Sequence, residues 1–485
     1  MGEAKDSAAS LSFNRSIRVE GRPERLTSHA GAILLRETDE RIGFVAGLAA
    51  KIEDPRNPDW ITHPMSELLR ARLYGIALGE RDQDDLDDLR DDPALRLAVS
   101  DRRGDAPLRG QEPESRIPDG LASQPTQSRL LETLSSEANV AAMGDALFGL
   151  AAKSHRRLRR SERARRGTID VDSTAIETHG GQPGSGYNGH YQTTCYHPLV
   201  AMLASTGDWL GVALRPGQVH TSVGLDEFLM PLIERTENEI CQVASVRADA
   251  GMPGGPLLEK LDARRIGYVM RLATNDVLKD LAAPHLRRPV GRRPNEIRTW
   301  SVELSYQAGT WSRARRVVLL VVDEPGELFL HHFFLLTSWD MEQMPALDLL
   351  AFYRERGTME GHIGDLKDTL RPALSSTSRT KSHIGGEPIE KPGLPRDGYA
   401  CNAANLLLFA LAYNLANLVR RVTARATAEP WRLRRCRDTL LRVPARVVLH
   451  ARRVVVVLRE EAAPLWTSFL RRLERLLPAA PPQRA

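Results

Sequence analysis

Apolar positions recur every three and four residues in GAILLRETDERIGFVAGLAAKI and in MSELLRARLYGIALG, so the chain from about residue 30 to about 100 predicts amphipathic helices. Asp92 before Pro93 reads as an N-cap followed by a first-turn proline, and a further helix is expected from ALRLAV. The acidic run RDQDDLDDLRDD at 81–92 lacks the alternating ligands, central Gly and closing Glu of a calcium loop, and reads as a solvated turn and helix start. Residues 101–120 are dense in Gly, Pro and charge, which predicts an exposed loop. A helix then starts at the Ser-Gln-Pro-Thr turn of LASQPTQSRLLETL.

The period changes from helical to alternating at Gly167. GTIDVDSTAI is a short β-branched strand carrying alternating acids, followed by the Gly-rich polar loop THGGQPGSGYNGHYQ and by strands in YHPLVAMLAS and WLGVALRPG. A helix is expected over SVGLDEFLMPLIERTE, then a strand, CQVASVRADAG, that ends in Asp249 before Gly251. IGYVMRL, TWSVELSYQ and RRVVLLVVDEPGELFLHHFFLLTSW are strand-like again, with a hairpin turn at Asp323 to Gly326. The apolar run NAANLLLFALAYNLANLVRR predicts a largely buried helix, and the Arg- and Leu-dense tail from Trp431 predicts helix plus strand. The expected fold is α/β: an RNase H-like catalytic core, a mixed sheet flanked by helices, interrupted by a β-rich insertion. The expected divisions are a helical N-terminal domain over 1–150, the core over 151–255, the insertion over 256–340, the core again over 341–425 and a tail over 426–485.

Composition narrows the partners. Hydrophobic residues make up 42% and charged residues 27%, the balance of a globular chain of more than one module. The net charge of +5 is mild, but its distribution is not: KSHRRLRRSERARR, from Lys153 to Arg166, sets eight basic residues against Glu162 and suits phosphate contacts as well as it suits a solvated helix. The Ser-Gln-Pro-Thr turn before Arg129 fits the start of a helix-turn-helix recognition helix, so the N-terminal domain is expected to bind DNA. Four dispersed cysteines, Cys195, Cys241, Cys401 and Cys436, indicate a reducing cytoplasm. The start of the chain has no apolar export segment, and no membrane span is expected. No Gly-x-x-x-x-Gly-Lys-Ser/Thr loop occurs, so ATP is not expected as a co-substrate. His179, His190 and His197 lack zinc-finger spacing with the cysteines and fit DNA contact or packing better than a zinc site.

The most informative stretch is ALDLLAFYRERGTMEGHIGDLKDTL. On a continuous helix Tyr353, Arg356, Glu360 and Lys367 fall at about 0, −60, −20 and −40° around the axis, one narrow polar stripe. Phe352, Ile363, Leu366 and Leu370 cluster near about −100°, so an apolar face borders a phenol, a guanidinium, a carboxylate and an ammonium. An ordinary amphipathic helix with an Arg356–Glu360 pair accounts for the same pattern.

The spacing Tyr-x-x-Arg-x-x-x-Glu-x-x-x-x-x-x-Lys resembles the Y-R-E-K branch of bacterial DDE transposases at every defined position. DVDST, HGGQ, YNGHY, CYHPL, LRPGQ, VRADAG and YRERGTMEGHIGDLK follow in an order similar to the insertion-sequence 1380 group, as do HAGAILLRE, EDPRNPDWITH, LRDDPALRLAV and LASQPTQSRLLE, over roughly residues 25–425. The resemblance implies Asp172, Asp249 and Glu360 as catalytic acids holding two Mg²⁺ or Mn²⁺ ions, with Tyr353, Arg356 and Lys367 on the phosphates of the transposon end. Asp170 lies on the same side of the strand two residues earlier and stays open as a ligand or a partner; the place of Asp172 before Thr174 favours Asp172. The implied partners are terminal inverted repeats, target DNA and a second copy of the chain, in a bacterial cytoplasm at the nucleoid. Relatives with this signature flip a base onto an aromatic residue, for which Trp300, Trp311 and Trp339 are candidates beside a packing role. A catalytically inactive or domesticated DNA-binding protein and an RNase H-like nuclease stand as alternatives. The three intact acids disfavour the first, and the complete stripe disfavours the second.

Overall fold

The computed structural model describes residues 9–19, 23–109, 120–156, 165–291, 295–378, 382–384, 387–389, 397–450 and 453–478. Residues 157–164 of the basic run, 110–119 of the first loop and the side chains of 379–396 lie outside the described residues.

Eight strands form one mixed sheet: β1 (Arg166–Ser173), β2 (Leu199–Leu203), β3 (Asp208–Ala213), β4 (Gln242–Ala248), β5 (Gly267–Leu272), β6 (Arg298–Tyr306), β7 (Arg315–Asp323) and β8 (His331–Thr337). Their order is β6-β7-β8-β5-β4-β1-β2-β3. β4 runs parallel to β1 and to β5, and all other neighbours are antiparallel. The block expected as an insertion over 256–340 thus extends the same sheet, with β5 inside the parallel part and β8, β7 and β6 added beyond it. Strand periodicity in the sequence reveals these strands but not the edge they join.

Alternation sorts the side chains of β1 and β4 onto two faces. Ile169, Val171, Val246 and Ala248 enter a core shared with α6 (Leu225–Glu239) and α7 (Gly255–Ala263). Asp170, Asp172 and Arg247 take the opposite face, where Val200 and Met202 of β2 are their cross-strand neighbours and belong to a second core.

That second core is organised by one helix, Gly398–Thr427, long and apolar enough to cross a membrane but with 94% of its apolar window buried inside the protein. Its buried asparagines satisfy backbone that has no regular partner. Asn414 accepts from the Trp209 N–H at 2.8 Å and donates to the Trp209 carbonyl at 2.9 Å, so its amide completes hydrogen bonding along edge strand β3. Asn417 and Arg421 both donate to Asp208 on the same strand. Residues of the N-terminal helices, among them Leu35, Tyr74, Leu95, Leu131 and Leu147, share this core with Phe409 and Leu411. The helices of 1–150 are therefore continuous in packing with the C-terminal part of the chain. Asp92 caps the helix Pro93–Val99 as expected, accepting from Ala94 and Leu95 at 2.9 Å. The helix Gln124–Leu134 buries Leu130, Leu131 and Leu134 and leaves Arg129 exposed.

The segment 346–370 is not the single helix its periodicity predicts. It comprises α8 (Ala346–Arg354), α9 (Gly357–Gly364) and a π-helical turn, Asp365–Leu370. At the break the Arg356 N–H donates to the Tyr353 carbonyl at 3.0 Å, and the Phe352 carbonyl that a regular helix would offer it accepts from Arg247 instead, at 2.8 Å. A tertiary guanidinium thus takes the acceptor that continuity requires.

His362 on α9 is buried, with its Nδ1 2.6 Å from the Tyr413 hydroxyl, and burial followed by the charges of Arg420 and Arg432 pushes it down to about 4. An unfolded imidazole binds its proton near pH 6.5, so folding excludes a proton between these values and stability falls as pH falls from about 6.5 towards 4. The expected loss is about 3 kcal/mol by pH 4. Urea unfolding at pH 7 and pH 4.5 measures it, and His362→Leu should flatten that part of the profile.

Candidate active site

Asp172 sits one residue before the end of β1, Asp249 directly follows β4, and Glu360 projects from α9. Arg247 stands opposite Asp170 in the register of β1 and β4, so the next positions on that face, Asp172 and Asp249, are neighbours at the carboxyl ends of the two parallel strands. The chain leaves β4 through a turn closed by Met252 N–H on the Asp249 carbonyl, with Gly251 at φ 86°, a conformation L side chains disfavour.

The three acids meet on one side chain. Arg356 donates through Nη2 to Asp172 Oδ2 at 2.7 Å and through Nη1 to Glu360 Oε1 at 2.7 Å, and its Nη2 lies 3.6 Å from Asp249 Oδ2. The guanidinium is 5% exposed, whereas the acid side chains grade from 12% for Asp172 to 41% for Asp249 and 62% for Glu360, so the cluster opens outward. Burial raises the Asp172 carboxyl to about 6; Arg356 opposes that rise, and the charges of Asp249 and Glu360 add to it. Tyr353 donates to Asp249 Oδ1 at 3.4 Å; burial raises its phenol to about 12, Arg356 opposes that rise, and the charge of Asp249 adds to it.

Asp170 is held differently. Both of its oxygens accept from Arg247, at 2.6 and 3.0 Å, below the acid cluster. The same guanidinium donates to Glu355 at 2.8 Å and lies over the Phe352 ring, so one buried charge ties β1, β4 and the α8–α9 junction together. Arg247 carries no motif of its own, although its place two residues before Asp249 in VRADAG puts it on the face of the acids.

The helix break lies between Tyr353 and Arg356, and Lys367 stands within the π turn that follows Glu360. It lines a neighbouring cavity of about 400 Å³ with Arg81, Arg371 and Glu177. The three tryptophans are occupied by packing: Trp311 and Trp339 meet Tyr306 and Phe352 edge-on at 5.5 Å, and Trp300 packs against the β1–β4 core. His190 and His197 line a cleft beside Asp172, and His179 is exposed.

Among the described residues no three Asp, Glu, His or Cys side chains stand together in a way that could hold an ion. Here the acids are gathered around a guanidinium. The donor set nonetheless suits a hard divalent cation: three carboxylates from three elements, converging where the protein itself already places positive charge.

The family model described as transposase DDE domain group 1 matches residues 9–384. Among solved structures, a piggyBac transposase synaptic complex with hairpin DNA aligns at a TM-score of 0.39 and 12% identity, covering 94% of this chain and 83% of that one. No curated protein matches the chain.

Proposed function

The chain belongs to the transposase DDE domain family, group 1, and from that premise we propose that it moves a bacterial insertion sequence of the 1380 group by cutting and pasting DNA. The observation that carries this reading is the meeting of Asp172, Asp249 and Glu360 on Arg356. The order β3-β2-β1-β4-β5, antiparallel and then parallel, supports an RNase H-like core.

Asp172, Asp249 and Glu360 are the proposed ligands of two Mg²⁺ or Mn²⁺ ions. When bound, these supply Lewis-acid activation of the attacking oxygen and neutralise charge on the leaving 3′-oxygen. Burial of Asp172 fixes one carboxylate while the exposed Glu360 leaves the site open to a DNA strand. Tyr353 and Arg356 orient the acids and meet the phosphates of the transposon end, and Lys367 meets the backbone farther along the strand. Water opens the bond at each terminal inverted repeat, the second strand is released, and the freed 3′-hydroxyls attack target DNA. Two ends require two active sites, hence a homodimer in the synaptic complex. We place this chemistry in the cytoplasm at the nucleoid, without ATP and without a membrane.

The test is release of a marker flanked by the native ends in Mg²⁺, with a 3′-hydroxyl on each released end. Binding of the ends without release would favour an inactive DNA-binding protein, and cutting without preference for the ends or joining would favour a nuclease. Chelation with EDTA should stop cleavage and leave the thermal unfolding curve in place, because Arg356 already pairs with the acids in the folded chain. Loss of structure in EDTA, read by circular dichroism, would contradict this.

A further inference from the structure

Three carboxylates share one guanidinium. Among the described residues Arg356 is the only cation paired with Asp172, Asp249 or Glu360. Its Nη2 stands between two of the acids, 2.7 Å from Asp172 Oδ2 and 3.6 Å from Asp249 Oδ2, while Nη1 holds Glu360 Oε1 at 2.7 Å. The guanidinium thus fills the space where a cation shared by Asp172 and Asp249 would have to stand.

Charge decides whether it can stay there. The cluster sets three negative charges against one positive. Two divalent ions would turn that deficit into an excess of positive charge, crowded around a guanidinium that is only 5% exposed. Repulsion is relieved when Arg356 leaves the acids, and a DNA phosphate offers the guanidinium a planar, two-pronged partner in their place. Its position suits such a move. Arg356 lies at the break between α8 and α9, with its N–H on the Tyr353 carbonyl and the exposed Gly357 directly after it. Its Nε is buried without a partner, so its place among the acids leaves one donor unsatisfied. The way out passes Glu360, the most exposed of the three acids.

We propose that Arg356 is an internal counterion that holds the acids until a DNA phosphate draws it off, so that metal ions and the DNA end bind as coupled ligands. This rests on the transposase reading above. Metal and phosphate favour the same state, the one with Arg356 off the acids, and each therefore raises the affinity of the other. The free protein takes up metal weakly and is a poor nuclease; a seated end completes the site.

The experiment titrates Ca²⁺ into the full chain by calorimetry, with and without a duplex carrying the native end. In wild type the duplex should tighten Ca²⁺ binding about 5- to 150-fold, and Ca²⁺ should tighten duplex binding, read by fluorescence anisotropy, to a matching extent. Without DNA, Arg356→Gln should bind Ca²⁺ about tenfold more tightly than wild type, and its coupling to the duplex should shrink by about the same factor. Arg356→Lys keeps the charge and should stay nearer to wild type. If Arg356→Gln does not fold, Glu360→Gln with and without Arg356→Gln gives the same comparison, because the double variant keeps the net charge of the cluster. Equal Ca²⁺ affinity of wild type with and without the duplex overturns the counterion, and so does removal of the guanidinium without a gain in Ca²⁺ affinity. If wild type does not bind the duplex at all, the transposase reading itself fails, a result distinct from binding without coupling.

Discussion

Asp172→Asn should lower end cleavage on the order of 10³-fold while the protein stays folded and still binds the ends. Lewis-acid stabilisation of a phosphoryl transfer is worth several kcal/mol, and losing about 4 kcal/mol corresponds to that factor. The fold should tolerate the change because burial holds the Asp172 carboxyl up near 6, a sign that its charge is costly where it sits. The amide removes that charge and leaves Arg356 with Asp249 and Glu360. Single-turnover cleavage and fluorescence anisotropy with labelled ends separate chemistry from binding. Cleavage within tenfold of wild type would remove Asp172 from the catalytic set.

Arg247→Met should be the most destabilising single change at the site, costing about 3–5 kcal/mol, because it leaves the carboxylate of Asp170 buried and uncompensated. Both side chains are only 2–3% exposed. Arg247→Met combined with Asp170→Leu removes both charges and should recover most of that stability in urea unfolding. Cleavage should not recover with it. The Phe352 carbonyl and Glu355 still lack their donor, so the α8–α9 junction that carries Arg356 and Glu360 loses its anchor to β4. A positioning role predicts a fall in kcat with little change in KM for end DNA; full recovery of kcat in the double variant would show that Arg247 only supports folding. This contrast also bears on the two aspartates of TIDVDS. Asp170 variants should fail through the fold, and Asp172 variants through chemistry.

The sequence made one part of this site legible and hid another. Alternation in TIDVDS places Asp170 and Asp172 on one face, and the turn after VRADA places Asp249 at a strand end; both are local patterns that survive folding. Arg247 was hidden because its meaning depends on register: only the pairing of β4 with β1 sets it opposite Asp170. The common stripe with Lys367 was drawn for the opposite reason. Constant helical phase was assumed through Arg356, where a tertiary hydrogen bond breaks it, and through Asp365–Leu370, where the turn widens. Amphipathic helices before residue 150 announced that they bury a face but not that a helix starting at Gly398 covers it.

That last helix has a consequence for synthesis. Every proposed catalytic acid is synthesised before Gly398, yet the face of the sheet that bears Asp172 and the N-terminal helices share a core that Gly398–Thr427 completes. A chain halted between Glu360 and Gly398 therefore carries the full set of acids without the support that gathers them. Decayed copies of such a gene, cut short anywhere upstream of this helix, should produce inert fragments that do not cleave the host chromosome.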